Sequence, residues 1–242
     1  MSGVADLIVS RLRETGVRTL FGVPGGGGNL DLIESAGRAG LPFVLTSTET
    51  GAAIAAIAQT EVTGRPGACL TTLGPGAASA VNGVACAFLD RAPIVVFTDS
   101  HPVGARGMFA HQHIDHLALL EPITKWSARL EPGRVSRTID EAFNAMATMP
   151  PGPVHIDCPG DVNALDDDNA LSTPPLNPLS FKKILAVPRS ISDQPFRRIS
   201  CPGPPAFRVT VVVPKRPTPV CRRGWTVRWS PGLKRGGSWK SH

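Results

Sequence analysis

Glu49 is the acid whose placement in this 242-residue chain invites chemistry. Residues 42–47 before it are short, apolar and β-branched, which suits a buried strand. Thr48 is a good helix N-cap, so Glu49 falls in the first turn of an Ala-rich helix that Gly64 closes. A first-turn carboxylate can simply complement the positive end of the helix. In an apolar pocket it can instead hold or move a proton, because desolvation raises its pKa. The helix start favours the anion and desolvation opposes it, so both readings stand. Residues 68–72 form the next strand-like run. Gly74-Pro75-Gly76 then turns the chain into a second Ala-rich helix over residues 77–89. Two strand-to-helix turns thus fall at one end of a parallel sheet, the end where open α/β sheets bind ligands. The carboxylate and the Gly-Pro-Gly turn face one crevice.

Two other stretches have chemically suggestive residues. Pro24-Gly25-Gly26-Gly27-Gly28 follows a strand over residues 19–23 and leads into a helix over residues 29–39. It lacks G-K-[ST], and Leu30 takes the last glycine position of a G-x-G-x-x-G, so it is no phosphate loop of either kind. Four glycines can also make nothing more than a mobile turn. His111, Gln112, His113, Asp115 and His116 cluster after a strand over residues 93–98. Their spacing fits no common zinc pattern, and a metal site is not expected. For His116 the plain reading is a solvated loop residue.

The elements that must position these residues alternate. Val4, Leu7, Ile8 and Leu12 share one face of a first helix, ended by Gly16, and Ile139, Ala142, Phe143 and Met146 share one face of a last helix. Residues 152–159 form a final strand. Strand and helix alternate to about residue 160, predicting a doubly wound parallel sheet with helices on both faces. The net charge of +6 hides two different segments: residues 1–168 hold 11 Lys/Arg against 18 Asp/Glu, and residues 169–242 hold 14 against one. Five cysteines without a C-x-x-C pair, and an N-terminus interrupted by Asp6 and Arg11, point to a cytoplasmic protein without a signal peptide. No apolar run nears the roughly 20 residues that span a bilayer.

Thr48-Glu49-Thr50-Gly51-Ala52-Ala53, Thr63-Gly64-Arg65-Pro66-Gly67 and Gly74-Pro75-Gly76-Ala77 occur in order. Together they resemble the N-terminal pyrimidine-binding domain of thiamine diphosphate-dependent enzymes, most of all the acetolactate synthase-like group. The resemblance covers about residues 4–162. It implies carboligase or decarboxylase chemistry on 2-oxo acids, of the transferase or lyase kind. It implies that Glu49 bonds the aminopyrimidine ring nitrogen of thiamine diphosphate and promotes the imino tautomer, whose nitrogen takes the thiazolium proton. Val23, Pro24 and Gly25, and Gly74, Pro75 and Gly76, would approach the ring. Ser79 stands where the family often has Asn, Gln112 matches a family Gln near the reacting centre, and Thr124-Lys125 matches a T-K pair after the helix that follows it. His111 and His113 replace the usual Phe and Glu, leaving the substrate open.

The family binds the diphosphate through Mg²⁺ in a separate domain with a G-D-G…N motif, and no G-D-G occurs in these 242 residues. The chain is therefore expected to hold only the pyrimidine half of the cofactor, to bind no Mg²⁺, and to be inactive alone. The rest of the site would come from a second copy or a complementary diphosphate-domain chain. The domain is expected to end near residue 165. Residues 166–242, with 12 prolines after residue 168 and no helical or strand phase, read as a disordered or frameshifted basic tail. Tryptophans among its basic residues could stack on single strands, but a nucleic-acid partner is the less favoured reading.

Overall fold

The computed structural model describes residues 3–25, 27–102 and 111–163. The readings made for residues 166–242, and for the boundary near residue 165, lie outside the described residues. Six strands form one sheet: β1 (Leu20–Val23), β2 (Phe43–Leu45), β3 (Gly67–Thr71), β4 (Ile94–Ser100), β5 (Trp126–Arg129) and β6 (Val154–Pro159). Their order is β2-β1-β3-β4-β6-β5 and every pairing is parallel. The doubly wound α/β fold read from the alternation is therefore present.

Helices α1 (Val4–Thr15), α2 (Gly28–Arg38) and α6 (Val135–Ala147) pack against one face, around Leu12, Leu70, Phe97 and Phe143. Helices α3 (Glu49–Thr63), α4 (Pro75–Leu89) and α5 (His116–Leu120) cover the other face, around Ala53, Ala80, Val96 and Leu120. A short α7 (Gly160–Asn163) follows β6. Central strands β3, β4 and β6 are buried along their whole length, as strands covered on both faces must be.

One expectation needs correction, and one strand lies where none was expected. The run at residues 42–47 is not a buried strand: β2 spans three residues at the sheet edge, and Leu45 is 67% exposed. An apolar β-branched run states strand propensity, whereas its place in the order decides burial. Trp126–Arg129 also forms a strand that periodicity passes over, because all four of its residues are half-buried at the opposite edge. The Thr124-Lys125 pair prepares this strand. Lys125 Nζ donates to the carbonyls of Ala145 and Thr148 at the end of α6, at 2.6 and 2.5 Å, where a cation is favoured.

Candidate functional site

The chain leaves β1 for β2 on one side and leaves β3 for β4 on the other. Helix α2 departs to one face and α4 to the opposite face, so the C-terminal ends of β1 and β3 bound a topological switch point. Asn29 Nδ2, at the start of α2, donates to the Thr71 carbonyl at 2.9 Å and ties the two walls together.

Glu49 reaches this crevice through close helix packing. Thr48 caps α3, its hydroxyl accepting from the Gly51 amide at 3.0 Å. Helices α3 and α4 meet on alanines and on Gly83, where an added Cβ would stand 2.6 Å from Ala53 Cβ and 2.9 Å from the Thr50 carbonyl. Small residues therefore bring the two helix starts together, and the Thr50 hydroxyl donates to the Ser79 carbonyl at 2.5 Å. A Cβ on Gly76 would lie 3.2 Å from Glu49 Oε1 and 2.5 Å from Thr72 Cγ2. A Cβ on Gly25 would overlap the Thr72 hydroxyl. Gly25, Thr72, Gly76 and half-buried Glu49 thus converge at the switch point. Val23 and Pro24, both half-buried, lead into it from β1. Thr72 escaped the sequence reading; its place one residue beyond a strand, two before the Gly-Pro-Gly turn, was the available signal.

The remaining candidates sit around the turn. Gly74 caps α4 at φ +60, Pro75 opens the helix, and Gly76 is already helical. Gln112 is exposed with φ 58, and a Cβ on Gly74 would overlap its carbonyl, so its main chain packs on the turn. Ser79 is exposed one helical turn past Gly76. His111 and His113 are exposed, and no group of three metal-binding side chains occurs among the described residues.

His116 departs from expectation. It is 2% exposed, not a solvated loop residue. Its Nε2 accepts from the Gly74 backbone N–H at 2.9 Å, and its Nδ1 lies 2.9 Å from Asp157 Oδ1. Asp115 caps α5, its carboxylate accepting from the Ala118 amide at 3.1 Å, which turns the ring inward. Asp157 also accepts from Thr98 Oγ1 at 2.9 Å and pairs closely with Arg129 Nε. His155 continues the chain, with Nε2 2.8 Å from Thr98 Oγ1 and Nδ1 2.7 Å from Ser127 Oγ. Burial alone would raise the Asp157 pKa, but the His116 hydrogen bond and the Arg129 charge outweigh it and hold the carboxyl at about 2. Burial lowers His155 to about 3 against the pull of Asp157. His155, Asp157 and Thr98 came from apolar-looking strands, and only their shared sheet face assembles them.

The profile of the thiamine pyrophosphate enzyme, N-terminal TPP binding domain, matches residues 3–119. The probable acetolactate synthase large subunit of Methanocaldococcus jannaschii is 38% identical over 159 residues, 65% of this chain and 27% of that protein. The acetolactate synthase isozyme 2 large subunit of Escherichia coli is 36% identical over 165 residues, 68% of this chain and 30% of that protein. The acetolactate synthase catalytic subunit of Saccharomyces cerevisiae mitochondria is 37% identical over 160 residues, 65% and 23% of the two chains. The chain spans less than a third of the length of these relatives. With the parallel sheet, the switch-point crevice and this similarity together, the chain carries the N-terminal TPP-binding domain of the acetolactate synthase-like thiamine diphosphate enzymes.

Proposed function

We propose that this domain supplies the aminopyrimidine half of a thiamine diphosphate site in a carboligase or decarboxylase of 2-oxo acids, with Glu49 as its proton-handling group. The observation that carries this reading is the convergence of Gly25, Thr72, Gly76 and Glu49 at the switch point. At Gly25 and Gly76 the place of a side chain is taken by Thr72, so bare main chain of both turns lies close together with the Glu49 carboxylate alongside. A carboxylate beside bare main chain fits the polar edge of a heteroaromatic ring. When bound, thiamine diphosphate supplies a thiazolium carbon that adds to a carbonyl and then stores the electron pair.

The chain's own part is positioning and proton transfer. Val23, Pro24 and Gly25 form one wall, and Gly74, Pro75 and Gly76 the other. The Glu49 carboxylate stands beside Gly76, where it would hold a proton shared with a ring nitrogen of the bound cofactor. Glu49 is half-buried, which limits competition from water for its carboxylate. Ser79 extends the second wall, and Gln112, exposed over Gly74, faces the substrate side. The diphosphate and its Mg²⁺ fall to residues of a second copy or a complementary chain. Exposed Ile54, Val62, Phe88 and Leu89 on α3 and α4 support a protein partner over these helices.

Thiamine titrated into the ¹⁵N-labelled 242-residue chain tests the site. The amides of Gly25, Glu49 and Gly76 should shift, and Gly76→Ala should weaken binding at least tenfold, a loss of about 1.4 kcal/mol. Shifts confined to other surfaces sink the assignment. Once a diphosphate-binding partner completes the site, Glu49→Gln should slow deuterium exchange at the reactive cofactor carbon by roughly 10²–10⁴-fold. Rates matching within a few-fold would reduce Glu49 to a helix-start acid.

A further inference from the structure

The buried polar chain behind the Gly-Pro-Gly turn has a direction, and the direction gives it a task. A backbone N–H can only donate, so Nε2 of His116 accepts from Gly74 and the ring proton sits on Nδ1, donated to Asp157. Thr98 has one proton, and the ionised Asp157 Oδ1 takes it. His155 must then donate Nε2–H to the Thr98 oxygen and accept from the Ser127 hydroxyl at Nδ1, which agrees with its burial-lowered pKa of about 3. Every proton in the chain points toward Asp157, and Arg129 balances its charge. Among the described residues, the His116–Gly74 bond leads from this chain of side chains to the Gly-Pro-Gly turn. With Nε2 engaged by an N–H, the His116–Asp157 pair has no free base nitrogen, which argues against a nucleophile-activating dyad.

We propose that His116 is a positioning residue for the cofactor wall. Held by Asp157, it anchors the Gly74 N–H and so sets the left-handed Gly74 from which Pro75 and Gly76 start α4. Gly74 has no side chain to cap that helix, and its φ of +60 is a conformation other residues adopt only with strain. His116 from one element and the Gln112 main chain from the preceding loop grip the same residue. The ends of β4, β5 and β6 are thereby coupled to a turn at β3. The role assigned to the turn rests on the pyrimidine-site reading; the anchoring of Gly74 does not.

Two substitutions in the 242-residue chain separate the two ends of the ring. His116→Gln keeps an acceptor at the depth of Nε2, and His116→Asn keeps only a donor at the depth of Nδ1. Amide hydrogen exchange at Gly74 should stay slow in the wild type and in H116Q and quicken about tenfold in H116N, the scale of one net hydrogen bond. Thiamine binding should follow the same order, with H116N weakened about tenfold. Equal exchange at Gly74 in both variants overturns the proposal, whatever thiamine does. Failure of wild-type thiamine binding with Gly74 exchange still ordered this way would sink the pyrimidine-site reading and leave the anchor standing. If either variant unfolds, the scalar coupling across the Gly74 N–H···Nε2 bond in wild type decides: its presence upholds the anchor and its absence overturns it.

Discussion

Two buried carboxylates on neighbouring strands meet opposite fates. Asp99 on β4 and Asp157 on β6 are 1% and 0% exposed, and Asp99 pairs in register with Cys158, one residue beyond Asp157. One step along a strand reverses the face. Asp157 faces α5, where His116, Thr98 and Arg129 all donate to it, and its pKa falls to about 2. Asp99 faces the start of α2, with Gly27 nearby: a Cβ there would lie 3.1 Å from Oδ2. Burial pushes Asp99 up to about 7, opposed only by the backbone amides of Ser100 and Gly28, which favour the anion without meeting hydrogen-bond geometry. Burial is common to both acids. What separates them is what each meets: donors and the Arg129 charge at Asp157, against the like charges of Asp157 and Asp31 at Asp99.

The comparison breaks most readily at Asp157. Asp157→Asn keeps the shape but removes the charge that three donors share. Urea unfolding should show a loss of roughly 3–5 kcal/mol, the cost of splitting a buried pair. A loss below about 1 kcal/mol would mean the network contributes no more than a surface ion pair.

Asp99→Asn sharpens the contrast through pH. The folded pKa of Asp99, about 7, lies above its unfolded value, so its contribution is full below about pH 4 and is lost as pH rises through 7. Asparagine has no such loss. Stability curves should show the variant gaining roughly 2–4 kcal/mol on wild type between pH 4.5 and 8. Parallel curves would put Asp99 back among ordinary carboxylates.

His155 gives the opposing slope. Its folded pKa is depressed to about 3, so its contribution is present above about pH 6.5 and lost as pH falls toward 3. Between pH 6.5 and 4.5 the two groups offset each other in wild type. His155→Gln should remove the acid-side loss, so that the variant gains roughly 1–3 kcal/mol on wild type over that interval. A variant whose stability tracks wild type there would show that His155 does not report on Asp157's surroundings. The smallest effect is set outside both environments. Thr48→Ala removes one N-cap bond and should cost about 1 kcal/mol at any pH. A pH-dependent loss would tie the α3 start to the titrating groups.

The sequence alone carried the alternation of strands and helices, the Thr48 cap, the glycine-closed helix ends and the position of Glu49 in a first turn. These are local matters of side-chain period, capping chemistry and backbone freedom. It also carried the family resemblance, through motifs contiguous in the chain. Tertiary structure decided the rest. Burial of β2 depended on its place at the sheet edge, and β5 existed only because β6 offered a partner. Thr72 became the centre of the crevice because Gly25 and Gly76, 51 residues apart in the chain, both pack on it. His116, read as a loop residue, became buried because Asp115 turns α5 inward and Asp157 waits on a strand 41 residues later. Whether a buried acid is held at about 2 or pushed to about 7 depended on which face of the sheet it met. Contacts between residues far apart in sequence leave no period to read, so donors and acceptors that satisfy one another across strands emerge only when the sheet is assembled.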